Sequence, residues 1–293
     1  MSIRPRRSVL YMPGSNARAI EKARTLPADG VILDLEDAVA PDAKEAARKQ
    51  VTDAVKSGGF GGREVFIRIN GIETPWHADD LAAAAAAGPD AILIPKVGRV
   101  EQLERIGRRI MDLHTPHKTR IWAMIETPEA LFNIVALAAE AHDSETRLAG
   151  FVMGTNDLAK ETRARLIPGR APMASWLTTC LLAAHAHGID ILDGVYNDLS
   201  DAKGFEAECI QGRDMGFDGK TLIHPNQIEP CNVVFSPSAA EVEHARKLIA
   251  AFDLPENKDK GVVQVEGRMV ERMHAEMARR TVAIAEAIEG TRS

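Results

Sequence analysis

Two acidic residues, Glu126 and Asp157, close two successive short apolar stretches, Arg120-Ile-Trp-Ala-Met-Ile-Glu126 and Leu148-Ala-Gly-Phe-Val-Met-Gly-Thr-Asn-Asp157. Each stretch is rich in β-formers and stops where Thr, Pro, Gly or Asn breaks the pattern, so each reads as a buried strand with a carboxylate at its C-terminal end. Parallel neighbours would bring both carboxylates out at one edge of the sheet. Two hard oxygen ligands there, with room for water and substrate, suit Mg²⁺, with Mn²⁺ as a substitute. Other apolar runs end in polar residues too: Asp34, Glu36 and Asp37; Arg68 and Asn70; Lys96; Asp193; Lys220 and His224. Alternation puts Asp34 and Glu36 on one face and Asp37 beyond. Opposite charges gathered at one rim suit a metal and an anionic substrate, although Arg68 paired with Asp37 would be an ordinary structural ion pair. His224 reads as a hydrogen-bonding group rather than a ligand. His185 and His187 read as surface residues, because two positions apart on a helix do not share a face. Met111, Met124, Met153 and Met173 read as core packing.

The elements that must position these groups repeat. Eight short apolar runs occur in residues 8–225: Ser8–Pro13, Gly30–Asp37, Glu64–Asn70, Ala91–Val97, Arg120–Thr127, Leu148–Thr155, Gly188–Val195 and Lys220–Pro225. Helix-like stretches separate most of them, among them Ala43–Lys56, Val100–Leu113 and Pro128–Ala141, the last with Pro in its first turn. Strand then helix, repeated eight times, is the pattern of an α/β protein of the (β/α)₈ TIM-barrel type, in which the site lies at the C-terminal ends of the strands. A doubly wound sheet would carry a Gly-rich fingerprint after its first strand, and none is present. The spacing therefore predicts a barrel over residues 1–228. A C-terminal helical extension, a lid or oligomerisation segment, is expected over residues 229–293, with helices at Ala239–Phe252 and Met269–Glu289.

Composition narrows the function. A net charge of −6 argues against nucleic acid as a partner, and no signal peptide or membrane-length apolar run appears. Three scattered cysteines, Cys180, Cys209 and Cys231, form no disulfide or zinc pattern and read as buried thiols of a reducing, cytoplasmic setting.

Six segments in order carry a resemblance: Arg7-Ser-Val-Leu-Tyr-Met-Pro-Gly14, Leu33-Asp-Leu-Glu-Asp-Ala-Val39, Ile67-Arg-Ile-Asn70, Ile125-Glu-Thr-Pro128, Gly154-Thr-Asn-Asp-Leu158 and Leu222-Ile-His-Pro-Asn-Gln227. The chain resembles the citrate lyase β-subunit and malyl-coenzyme A lyase family, within the HpcH/HpaI aldolase superfamily, from about residue 7 to residue 275. The resemblance implies a (β/α)₈ barrel, Mg²⁺, and cleavage or formation of C–C bonds in 3-hydroxyacyl-coenzyme A thioesters. It places the metal carboxylates on Glu126 and Asp157, the substrate-gripping Arg on Arg68, and the acidic pair that orders metal-bound water on Glu36 and Asp37. Coenzyme A phosphates would be met by Arg7 and Lys22. One departure stands out. Where the family's lid carries Asp in Gly-x-Met-Val/Ile-Asp, this chain has Gly267-Arg-Met-Val-Glu271. The extra methylene moves the charge by roughly 1 Å, a distance to which catalytic geometry is sensitive.

The expected reaction is a Mg²⁺-dependent carbon–carbon lyase step, a retro-Claisen cleavage of a malyl- or citramalyl-type thioester to acetyl-coenzyme A and a 2-oxo acid. Arg68 would grip the substrate's carboxylate and carbonyl end. Backbone amides of Gly154, Thr155 and Asn156 would hold the far carboxylate, and Glu271 would protonate the enolate. Three alternatives stay open: a malyl-coenzyme A-type thioesterase, which the Glu271 departure motivates; a class II aldolase without coenzyme A; and a lyase subunit working with an acyl carrier protein. A homo-oligomer, trimeric or hexameric, is the expected assembly.

Overall fold

The structure is a computed structural model that describes residues 3–292. Arg6–Asn232 form one compact unit; residues 3–5 and 233–292 form a second.

The first unit is a closed barrel of eight parallel strands in chain order. These are β1 (Ser8–Pro13), β2 (Gly30–Asp34), β3 (Glu64–Arg68), β4 (Ala91–Ile94), β5 (Arg120–Ile125), β6 (Leu148–Met153), β7 (Asp190–Asp193) and β8 (Gly219–Leu222). Between them run α1 (Ala17–Ala23), α2 (Lys44–Ser57), α3 (His77–Ala87), α4 (Val100–Asp112), α5 (Pro128–Ala139), α6 (Thr155–Thr162), α7 (Ala174–Ala186) and α8 (Ala202–Met215). The α/β barrel expected from the repeat is therefore what the chain forms. Most strands after β1 stop two or three residues earlier than the apolar runs suggest, because Leu35–Asp37, Ile69–Asn70 and Pro95–Val97 leave the ladder at the rim. Helix α6 was not anticipated: it starts inside the run assigned to the sixth strand, so Asp157 lies in its first turn.

Alternation along each strand sends every second side chain inward. Val9, Ile32, Phe66, Leu93, Trp122, Met124, Val152 and Leu192 fill the lumen, with Tyr11 packed against them. Phe66 meets Trp122 edge-on, with centroids 5.3 Å apart. A Cβ on Gly150 would lie 2.6 Å from the Trp122 ring, so that strand position must be glycine for the indole to cross the lumen. At the amino-terminal end the Arg6 guanidinium sits 5.1 Å from the Trp122 ring centroid and pairs with Glu64 and Asp190. The lumen is a packed core closed at that end. Of the methionines, Met124, Met153 and Met173 are buried as expected, whereas Met111 is 44% exposed on the outer face of α4. All three cysteines are buried and free.

After α9 (Ile228–Phe235), the second unit packs α10 (Ala239–Asp253) on α11 (Arg272–Arg292), with the antiparallel hairpin β9 (Val262–Val265) and β10 (Arg268–Glu271). Leu248, Phe252, Val263, Val265, Val270 and Ala275 form its core. The hairpin corrects the sequence reading: Met269–Glu271 is strand, and the last helix begins at Arg272. No helix among the described residues is long and apolar enough to cross a membrane.

Candidate active site

The inward alternation that fills the lumen places one more layer at the carboxyl ends. Above Ile32, Phe66 and Met124 come Asp34, Arg68 and Glu126. Asp34 and Arg68 are register partners on β2 and β3. Arg68 Nε donates to Asp34 Oδ1 at 2.6 Å and Nη2 to Oδ2 at 2.7 Å, a forked contact that only a guanidinium makes. Nη1 lies 2.9 Å from Glu36 Oε2 and 3.3 Å from Asp37 Oδ2. Arg68 thus answers to three carboxylates, and the main partner is Asp34, not Asp37. The Arg68 charge also rests 4.9 Å from the Tyr11 ring centroid.

Asp34 organises the β2–α2 turn as well, accepting from the Glu36 and Ala38 amides at 2.9 and 3.1 Å. Burial alone would raise its pKa. The Arg68 charge and fork, helped by the two amides, outweigh burial and hold it below the ordinary value. Beneath the turn, the buried Lys44 ammonium donates to the carbonyls of Leu35 and Glu36 at 2.8 and 2.6 Å. Glu36 and Asp37 are thereby fixed from below, one buried and the other 63% exposed.

Glu126 is almost wholly buried, and its one side-chain hydrogen bond is accepted by Oε1 from the Lys96 amide at 2.7 Å. Burial first, then the charges of Glu36 and Asp157, push its pKa up to about 8, against the opposing pull of Arg68 and Lys96. Glu36 is likewise raised by burial, less the effects of Arg68 and Lys96. Its Oε2, though near Arg68, is off the donor direction and has no hydrogen bond. Acid groups pressed together in this way, with one buried oxygen unsatisfied, fit a divalent cation. Glu126 and Asp157 could hold it. No three His, Cys, Asp and Glu side chains among the described residues gather into a full protein cage. A two-carboxylate site would leave the other positions to water and substrate, which suits Mg²⁺.

The expected substrate-binding turn is altered in one respect. The Gly154 amide donates to the Ile125 carbonyl at 3.0 Å, so it is committed to the sheet rather than to a ligand. Glycine is required there for another reason: an added Cβ would stand 2.3 Å from Glu126 Cβ and 2.6 Å from its Oε2. Thr155 and Asn156 open α6, whose first-turn amides point beyond the helix end. The Asn156 side chain is held in a reciprocal amide pair with Asn197, at 2.8 and 3.1 Å.

Two other expectations need correction. Arg7 precedes β1, at the amino-terminal rim, and is buried in a forked pair with Asp29 at 2.7 and 2.8 Å. It lies at the opposite end from Glu126 and has no free edge for a coenzyme A phosphate. Lys22 is exposed near the end of α1. Asp193 and Lys220 do not belong to the ring around the mouth. Their register puts them on the outer wall, where Lys220 Nζ meets Asp193 at 2.9 Å and Glu208 at 2.7 Å, and Arg170 meets Asp193 at 2.6 Å. Glu271 ends β10 in the second unit, exposed, while Glu36, Asp37, Arg68, Glu126 and Asp157 all belong to the barrel. Sequence reasoning gave little weight to Lys96 and overlooked Lys44. The register of Asp34 against Arg68 was the legible signal for the ion pair; nothing marked Lys44.

Residues 7–225 match the HpcH/HpaI aldolase/citrate lyase family. A (3S)-malyl-CoA thioesterase of Cereibacter sphaeroides is 51% identical over 289 residues, covering 99% of this chain and 98% of that one. The citrate lyase subunit beta of Leuconostoc mesenteroides subsp. cremoris is 32% identical over 289 residues, covering 97% and 94%. The solved structure of CitE from Mycobacterium tuberculosis in complex with magnesium, acetoacetate and coenzyme A superposes with a TM-score of 0.76 at 27% identity, covering 98% of this chain and 100% of that one. A barrel whose rim carries the motif residues in place, and matches that run almost end to end, lead to one statement: the chain belongs to the HpcH/HpaI aldolase/citrate lyase family.

Proposed function

We propose that this protein hydrolyses the thioester of a malyl-type acyl-coenzyme A, releasing free coenzyme A and the dicarboxylic acid. The observation that carries the reading is the 51% identity, over nearly the whole of both chains, to a (3S)-malyl-CoA thioesterase. Of the readings weighed on sequence, this one accommodates the Glu271 substitution. It takes precedence over the carbon–carbon lyase, whose support is the family description and the more distant citrate lyase subunits.

Glu126 and Asp157 would hold the divalent cation, which when bound supplies positive charge to the substrate's oxygens. The CitE complex with magnesium, acetoacetate and coenzyme A supports a divalent cation and a coenzyme A compound as ligands here. Arg68 turns one edge to Asp34 and the Nη1 side toward Glu36 and Asp37. That second side is the one proposed to meet the acyl group's carboxylate. In hydrolysis a water oxygen bonds to the thioester carbonyl carbon, the C–S bond breaks, and the sulfur leaves with the bonding pair. Asp37, the exposed member of the acidic pair, takes the water's proton. The departing sulfur takes up a proton from solvent water. The α6 amides of Thr155 and Asn156 hold the far carboxylate, and Lys22 remains the candidate for a coenzyme A phosphate.

The test is product analysis. Purified protein with Mg²⁺ and (3S)-malyl-coenzyme A should give free thiol and malate in equal amounts, with the thiol exceeding any acetyl-coenzyme A. Stoichiometric acetyl-coenzyme A and 2-oxo acid, without malate, would replace this reading with the lyase.

A further inference from the structure

Just beyond β4 the chain turns through Lys96 with φ of 54°, a left-handed conformation that residues bearing a Cβ seldom adopt. Other non-glycine residues share that conformation, among them His114, Arg147, Arg163, Arg170 and Glu266. Lys96 is the one that touches both Glu126 and Glu36. Its amide donates to Glu126 Oε1 at 2.7 Å, and its Nζ donates to Glu36 Oε1 at 2.7 Å. The amide and the ammonium of this one residue thus reach two members of the same acidic cluster. What sets Lys96 apart from those residues is this pair of contacts, at a place where backbone strain often accompanies function.

We propose that Lys96 is a positioning residue for the proposed reaction, one that sets the spacing between the Glu36 and Glu126 carboxylates from the end of a third strand. The inference rests on the hydrolase reading for its kinetic arm only. Glu36 comes from the β2–α2 turn and Glu126 from the end of β5, and no hydrogen bond or ion pair joins them directly. Without the ammonium, Glu36 keeps Arg68 as its remaining side-chain cation, on Oε2 alone, and its Oε1 loses the contact that aims it. The Lys96 side chain is 43% exposed, so it is not a core residue whose loss would empty a cavity.

The experiment compares Lys96→Met, Lys96→Gly and Lys96→Arg with wild type. Met keeps the aliphatic stem, Gly keeps the amide and favours the left-handed turn, and Arg keeps a cation. Removing an outer partner of a metal site typically costs 10- to 100-fold in metal affinity or activity; because a cation is what is lost here, the cost is expected in activity. Met and Gly should therefore lower kcat by about 10- to 100-fold with KM within about threefold, and Arg should recover part of the loss. Mn²⁺ affinity, measured without substrate by the resonance of free Mn²⁺, should not fall, because a neighbouring positive charge has been removed. Unchanged kcat in both Met and Gly would overturn the proposal. So would parallel losses of kcat, Mn²⁺ affinity and thermal midpoint, which mean a structural role. If wild type turns over no thioester, the hydrolase reading fails by itself. Lys96 is then judged by a crystal structure of the Met variant: a displaced Glu36 carboxylate supports the proposal, and an unmoved one overturns it.

Discussion

Gly154→Ala tests the geometry of the acidic rim with a single methyl group. The added Cβ would stand 2.3 Å from Glu126 Cβ and 2.6 Å from Oε2, well inside van der Waals contact. The nearer atom is the root of the Glu126 side chain, so a rotamer change cannot clear it; β5 and β6 must part or the carboxylate must leave. Overpacking of this kind costs about 1–3 kcal/mol. For a chain of this size that corresponds to roughly 2–4 °C of thermal midpoint per kcal/mol, or about 2–12 °C in all. The carboxylate that moves is the one proposed to hold the cation, so kcat should fall by about 100-fold, because misplacement by 1 Å costs that much. Gly62→Ala is the control, since no atom lies within 4 Å of its added Cβ and its φ is not left-handed. Scanning calorimetry and initial rates on the same preparations read both effects. A Gly154→Ala protein with wild-type kcat and a midpoint matching the control would show that Glu126 is not pressed against this turn, and the proposed metal site would lose its geometric basis.

Glu126 also gives stability a sign in pH. Its folded-state pKa, about 8, lies above its ordinary value, so the folded state binds more protons than the unfolded chain between the two. The contribution is fully present below the ordinary glutamate range and is lost as pH rises through about 8. In metal-free protein the thermal midpoint should therefore fall from pH 5 to pH 8 more steeply than in Glu126→Gln, and Mg²⁺ should flatten the slope; identical slopes would contradict the assignment. Lys220→Met leaves Asp193 and Glu208 without their shared buried ammonium. Breaking a buried pair costs about 3–5 kcal/mol, so denaturant melts should show that loss while KM stays near wild type. A KM raised tenfold would put Lys220 back at the site. Arg7→Ala should likewise weaken the fold through Asp29 without changing KM for the thioester; a selective rise in KM would restore its coenzyme A role.

The barrel was legible because parallel strands buried on both faces leave short apolar runs, and all eight stand out between helical stretches. The rim was legible in part. Glu126 and Arg68 continue the inward alternation of Trp122 and Met124, and of Phe66, so their placement follows from parity alone. Asp193 and Lys220 failed for the same reason in reverse: they sit one residue out of phase with the lumen, and charge at a strand end was given more weight than parity. The coenzyme A role of Arg7 came from the resemblance alone, whereas its place just before β1 already puts it at the amino-terminal rim. Lys44 and Lys96 depend on turns whose shape no periodicity records. Neither the left-handed φ at Lys96 nor the reach of Lys44 to two carbonyls has a pattern that could be counted.

The plug made by Arg6, Trp122 and Gly150 has a bearing on traffic. With the amino-terminal end closed, the barrel has a single doorway, and whatever reaches Glu126 enters and departs by the carboxyl-end rim. Two products formed at one dead end leave in sequence whenever the second lies beneath the first. An acid gripped deep beside Arg68 would thus wait for the bulkier thiol fragment to clear the passage, and added free thiol should slow its escape.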